Sequence, residues 1–209
     1  MSYMLRIFLF ILLCNGAYAH AANTILVLGD SLSAGYGLPQ SAGWVDLLQR
    51  RLTAEGHDYK VVNASISGET TLGGRNRIRS ALTQHHPRIV VIALGGNDGL
   101  RGAPIGSIRA NLEAIVSDSV KAGSRVLLLG MQLPPNYGID YVEKFRALYP
   151  TLARSQRVAL VPFMLEGFAT DAAAFQADRI HPVAAVQPRI LDLVWKELEP
   201  MLAPVRARK

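Results

Sequence analysis

From residue 24 onward, short apolar and β-branched runs alternate with longer stretches in which apolar positions recur at helical spacing. The runs Thr24–Leu28, Lys60–Val62, Ile89–Leu94, Val126–Leu129 and Val158–Val161 read as strands. Their nearly unbroken apolarity is what a parallel strand covered on both faces requires. The segments Trp44–Ala54, Leu72–Gln84, Ser107–Ala122 and Tyr141–Ser155 read as helices, and a last helix is expected from about Ala184 to Leu202. In the first of these, Trp44, Val45, Leu47, Leu48 and Leu52 recur at the spacing of one buried face. Gly56 and Gly123 stand where left-handed C-caps are expected. Strand–helix alternation joined by right-handed crossovers predicts an α/β fold, a three-layer sandwich around a five-stranded, mainly parallel sheet. No repeat, linker or shift of composition interrupts residues 20–209, which read as a single domain.

The start of the chain has a different pattern. Arg6 precedes the apolar run Ile7-Phe8-Leu9-Phe10-Ile11-Leu12-Leu13-Cys14, and Ala17-Tyr18-Ala19 follows. A positive residue, a short apolar core and an A-x-A site form a secretory signal peptide over residues 1–19, with Ala19-His20-Ala21 as a second possible cleavage point. The run falls short of the about 20 apolar residues that span a bilayer. Export to the periplasm or beyond is therefore expected, with no stable membrane anchor after cleavage. A lipid anchor on Cys14 fits poorly because the large Leu13 precedes it. Cys14 is the only cysteine of the 209 residues, so the exported chain has neither a disulfide framework nor a cysteine nucleophile.

Composition narrows the function classes. Half of the residues are hydrophobic and 18% are charged, which excludes a disordered or fibrous chain. Lys and Arg exceed Asp and Glu by 22 to 16, but the excess is spread along the chain and clusters only at Arg206, Arg208 and Lys209. A nucleic-acid partner is not expected from so diffuse a charge. Oligomeric state is not legible, and a monomer is the default.

In an open parallel sheet, ligands bind beyond the carboxyl ends of the strands. The loops to search are therefore 29–37, 63–70, 95–102, 130–138 and the stretch from Pro162 to His181. Of the five histidines, His57, His85 and His86 enter strands at the opposite edge, and His20 adjoins the cleavage site. His181 alone lies on the carboxyl side, which makes it the candidate general base. Asp178 precedes it by three residues, a spacing that lets a carboxylate orient the imidazole. The same spacing also fits an Asp capping the last helix with a surface His in its first turn. Ser31, in Gly29-Asp30-Ser31-Leu32, sits just past the first strand, where it is either a nucleophile or ordinary turn chemistry. Gly68 and Asn97 offer neutral donors suited to an oxyanion. Neither a phosphate loop nor a G-x-G-x-x-G follows the first strand, so a nucleotide-binding reading of the flavodoxin-like frame lacks its motif. No H-E-x-x-H or Cys/His cluster at ligand spacing is present, so no metal site is expected.

Gly29-Asp30-Ser31-Leu32, then Gly68, then Gly95-x-Asn97-Asp98, then Asp178-x-x-His181 resembles the four blocks of the SGNH, or GDSL, hydrolases. The loops 29–37, 63–70, 95–102 and Leu133–Gly138 are similar to the exported bacterial thioesterase/lysophospholipase/arylesterase branch. The resemblance implies a flavodoxin-like SGNH fold, with Ser31 as nucleophile, His181 as base and Asp178 as its orienting partner. It implies an oxyanion hole from the Ser31 and Gly68 N–H groups and the Asn97 side chain, with Asp30 and Asp98 shaping loops. It further implies a small acyl ester or thioester as substrate and no cofactor. Leu100, Pro134 and Tyr137 are candidates for an acyl-binding wall or, equally, loop anchors. Arg179 departs from the branch, which often has Gly there. A carbohydrate acetylesterase and a non-catalytic exported binding module on the same frame are the alternatives.

Overall fold

The computed structural model describes residues 23–202. The expected signal peptide over residues 1–19, Cys14, His20 and the basic cluster at 206–209 lie outside them. The chain enters as strand β1 (Asn23–Gly29), in which Ile25, Leu26, Val27 and Leu28 are fully buried. A short helical turn α1 (Ser31–Ala34) and helix α2 (Trp44–Ala54) lead to β2 (Tyr59–Asn63), then α3 (Thr71–His85) to β3 (Ile89–Ala93). The turn α4 (Gly96–Leu100) and helix α5 (Ile105–Lys121) precede β4 (Arg125–Leu129), and α6 (Ile139–Gln156) precedes β5 (Ala159–Val161). Helix α7 (Gln187–Leu202) closes the described chain.

The five strands form one sheet in the order β2-β1-β3-β4-β5, every neighbouring pair parallel. Right-handed crossovers in that order put α2 on one face and α3, α5 and α6 on the other, and α7, which follows the last strand, joins the face of α2. The packing agrees: α2 lies against α7, α3 against α5, and α5 against α6. All five residues of β3 are buried, as its near-central place between two helical layers demands. The fold is the α/β three-layer sandwich that the apolar runs predict.

Most boundaries shift by a residue or two from those read in the sequence. The last helix is the larger correction. Residues Ala184–Val186 form a separate 3₁₀ turn, and the α-helix starts at Gln187 with Pro188 in its first turn, where no N–H is needed. The turns α1 and α4 were not expected at all. They span four and five residues, too few to carry a hydrophobic period.

The chain steps from β1 to β2 on one side and then to β3 on the other, so strand order reverses beside β1. The loops leaving β1 and β3 flank that switch point, the usual crevice of a doubly wound sheet.

Candidate active site

The turn after β1 is shaped by two residues. A Cβ on Gly29 would stand 2.8 Å from Ser33 Cβ and 2.9 Å from Ser65 Oγ, so the loop after β2 can close over this strand end only because Gly29 has none. Asp30 is extended and caps α1, its carboxylate accepting the Leu32 N–H at 3.0 Å. Ser31 thereby becomes the first residue of α1, where a backbone N–H has no intrahelical acceptor. The Asn63 side chain donates to Ser33 O at 2.8 Å and Ile66 N–H donates to Gly29 O at 3.0 Å, fastening the second loop to the first.

His181 reaches Ser31 across 150 residues of chain, with Nε2 and Ser31 Oγ 2.8 Å apart. Its Nδ1 lies 2.7 Å from Asp178 Oδ2. The other Asp178 oxygen accepts the N–H groups of Ile180 at 2.9 Å and His181 at 3.0 Å. These backbone donors, with the imidazole, hold the Asp178 carboxyl down at about 2. Asp178 is therefore an anion that only accepts, so Nδ1 carries the ring proton and Nε2 faces the Ser31 hydroxyl as acceptor. The tight Asp178 turn needs a left-handed residue, and Arg179 supplies it at φ 58°. Asp178 does not cap the last helix, because that helix begins only at Gln187.

Two glutamines brace this segment, and the sequence gives no local sign of either. Gln176 N–H donates to His181 O at 2.8 Å, and its side chain donates to Tyr36 O at 2.9 Å. Gln187, nearly wholly buried, accepts the Trp44 N–H at 3.1 Å and donates to Pro182 O at 3.4 Å. The Tyr36 ring lies 4.5 Å from the imidazole, centroid to centroid, and leaves the His181 side chain 15% exposed.

Asn97 is the second residue of α4. Gly95 before it adopts φ 114° and backs onto the hydroxyl of Tyr149, two reasons for glycine there. The Asn97 amide donates to Glu69 O at 3.0 Å and, over a longer 3.4 Å, to Asp30 Oδ2. Gly68 is exposed at φ 79°, and its carbonyl accepts from Arg101 at 3.3 Å. Asp30 is 4% exposed, and burial pushes its carboxyl up to about 6 against the pull of the Leu32 N–H and of His181. Asp98 is also buried and clamps Thr71, accepting its N–H at 2.9 Å and its hydroxyl at 2.6 Å. That clamp joins the start of α3 to the loop bearing Asn97.

The structure thus brings Ser31, His181 and Asp178 into one hydrogen-bonded line, and ties Asn97 to Asp30 and to the loop bearing Gly68. A shallow hollow beside them is lined by Ser31, Leu32, Tyr36, Leu38, His181 and Pro182 among others. Leu100, Pro134 and Tyr137 are not among its lining. Tyr137 donates to Leu100 O at 3.0 Å, which joins the loops after β3 and β4 into a separate ridge, and Pro134 is exposed. Among the described residues no group of three or more His, Cys, Asp or Glu side chains is placed to hold a metal.

Over residues 27–187 the sequence matches the GDSL-like lipase/acylhydrolase family, a span that includes Ser31, Gly68, Asn97, Asp178 and His181. The chain belongs to that family. It is 52% identical over 182 residues to esterase TesA of Pseudomonas aeruginosa, covering 87% of this chain and 90% of that protein. It is 44% identical over 195 residues to thioesterase 1/protease 1/lysophospholipase L1 of Escherichia coli K12, with 93% and 92% covered. A crystal structure of TesA superposes with a TM-score of 0.84 at 51% identity, over 86% of this chain and 99% of the other. This GDSL-family chain is accordingly a hydrolase of the esterase/thioesterase type, and the sandwich described above is the family's fold.

Proposed function

We propose that this hydrolase cleaves acyl esters and thioesters of carboxylic acids through an acyl-enzyme on Ser31. The Ser31 hydroxyl donates to His181 Nε2 at 2.8 Å, and attack on the carbonyl transfers that proton to the imidazole. Asp178, 2.7 Å from Nδ1, holds the ring in the required tautomer and balances the imidazolium. The tetrahedral oxyanion is received by the Ser31 N–H, the Gly68 N–H and the Asn97 amide. Of the two bonds that amide makes, the 3.4 Å one to Asp30 is the one that yields to the oxyanion. His181 then protonates the leaving alcohol or thiol, and water activated by the same ring releases the acid. The observation that carries this reading is the unbroken Ser31–His181–Asp178 line.

The hollow beside Tyr36 and Leu38 accepts the small side of the scissile bond, and the ridge of Leu100, Pro134 and Tyr137 offers an apolar wall for a longer chain. Residues 1–19 act as an export signal, so the enzyme works in the periplasm or outside the cell.

Hydrolysis of a p-nitrophenyl ester series from acetyl to palmitoyl tests the assignment. Turnover by the wild type should fall by at least about 10³-fold in Ser31→Ala, whose fold should be intact. Retained turnover in the variant would end the Ser31 assignment. A steep optimum at acetyl would end the reading as an enzyme for longer acyl chains.

A further inference from the structure

The Gly68 N–H is an oxyanion donor in the acyl-enzyme reading, and it has no backbone acceptor among the described residues. Its direction depends on how the loop between β2 and α3 is held. Glu69 N–H donates to Ile66 O at 3.1 Å, Arg101 donates to Gly68 O at 3.3 Å, and the Asn97 amide donates to Glu69 O at 3.0 Å. The last two bonds come from the loop after β3, so they tie two loops to each other rather than to a long element.

The Glu69 side chain supplies the tie to a long element. Its Oε2 lies 2.6 Å from Arg77 Nε, well inside α3. Gly73 and Arg77 stand four apart on one helix face, and the carboxylate crosses Gly73 to reach the guanidinium. A Cβ on Gly73 would overlap that carboxylate. Gly73 is not among the glycines with positive φ, so its backbone makes no demand for glycine, and glycine weakens a helix. The room it leaves for Glu69 is what the residue provides. The pair is largely withdrawn from water, with side chains 12% and 25% exposed, and Arg77 Nη2 is buried without a partner of its own. A lower local dielectric makes such a pair stiffer than an exposed one. The start of α3 is itself fixed, since Thr70 accepts the Gly73 N–H at 3.3 Å and Asp98 holds Thr71.

We propose that Glu69, held across Gly73 by Arg77, is a positioning residue that aims the Gly68 N–H at the oxyanion. This rests on the acyl-enzyme reading of Ser31. Gly68 and Glu69 share a peptide bond, so a Glu69 side chain locked on α3 limits the swing of that N–H. The same lock places Glu69 O, the acceptor that orients the Asn97 amide. Glu69, Gly73 and Arg77 do not line the hollow, so breaking the lock weakens the transition state and spares substrate binding.

Gly73→Ala is the most pointed test, because Ala favours a helix while its methyl drives the Glu69 carboxylate off Arg77. Arg77→Met removes the cation and Arg77→Lys keeps one. On p-nitrophenyl butyrate, kcat should fall about tenfold or more in Gly73→Ala and Arg77→Met, a part of the roughly 10²–10³ that a lost oxyanion donor costs. KM should stay within about twofold, and Arg77→Lys should recover most of the loss. The inhibition constant for butylboronic acid, whose tetrahedral adduct on Ser31 puts an oxygen in the same hole, should rise in step with the loss of kcat. Circular dichroism should show the variants folded, and Gly73→Ala decides alone if Arg77→Met does not fold. Wild-type kcat in Gly73→Ala would overturn the positioning role. So would a loss of kcat with unchanged boronate inhibition, or equal losses in Arg77→Met and Arg77→Lys, which mark a merely structural pair. Failure of the acyl-enzyme reading would show instead in the unaltered pair, as turnover that survives Ser31→Ala.

Discussion

Asp30 bears a charge where the fold makes charge expensive. Its carboxyl is raised from 3.8 to about 6 by burial. A carboxyl raised on folding favours the folded state while it is protonated, so this contribution is present below about pH 4 and is lost as pH rises through about 6. Keeping the ion at neutral pH costs on the order of 3 kcal/mol. Asp30→Asn should therefore melt higher than the wild type at pH 8 and show no such advantage at pH 4. Its amide oxygen can still cap α1, but its NH2 then opposes the donor of Asn97, so kcat should fall by about tenfold or more. Melting curves across that pH range with kcat measured alongside check both halves. A variant destabilised at pH 8 with normal kcat would show that Asp30 serves only the local turn. At this scale the sequence was informative where chemistry is unusual for its place, as with Ser31 past a strand and the one histidine on the carboxyl side. The burial of Asp30 was illegible, because Gly-Asp-Ser reads the same in an exposed turn.

Helices α2 and α7 meet at a contact that no periodicity announces. Gly43 offers no side chain to cap α2, and Gln187, the first residue of α7, accepts the Trp44 N–H in its place. The same side chain holds Pro182 O, next to His181. Gln187→Leu keeps the apolar bulk but orphans both groups, and should cost about 1–3 kcal/mol in urea unfolding. It should also lower kcat more than it raises KM, because the imidazole loses a brace while the hollow, which Gln187 helps to line, keeps a side chain of similar bulk there. An unchanged midpoint and kcat would mean that water replaces the side chain at no loss. The long elements were legible because each strand is apolar throughout and each helix has a stripe to bury. The turns α1 and α4 were not, since Ser-Leu-Ser-Ala and Gly-Asn-Asp-Gly-Leu are set by caps and by contacts from other loops. Gln176 and Gln187 act at separations of about 140 residues, beyond any local pattern.

Across the molecule, the sheet order gathers the site. Because β1 lies between β2 and β3, the loops bearing Ser31, Gly68 and Asn97 leave adjacent strands at one edge. The last strand returns the chain toward that edge, where Asp178 and His181 lie before α7 closes the opposite layer. Buried parallel strands and right-handed crossovers made the fold class and the functional edge legible before any side chain was placed. Ser31 alone is proposed as the activated nucleophile. The most direct measurement is intact-protein and peptide mass spectrometry after reaction with an organophosphonate ester. One adduct per chain is expected, located on Ser31, absent from Ser31→Ala and formed far more slowly in His181→Ala, with ester turnover lost in step with labelling. An adduct on another residue, or full turnover by a protein labelled at Ser31, would contradict it.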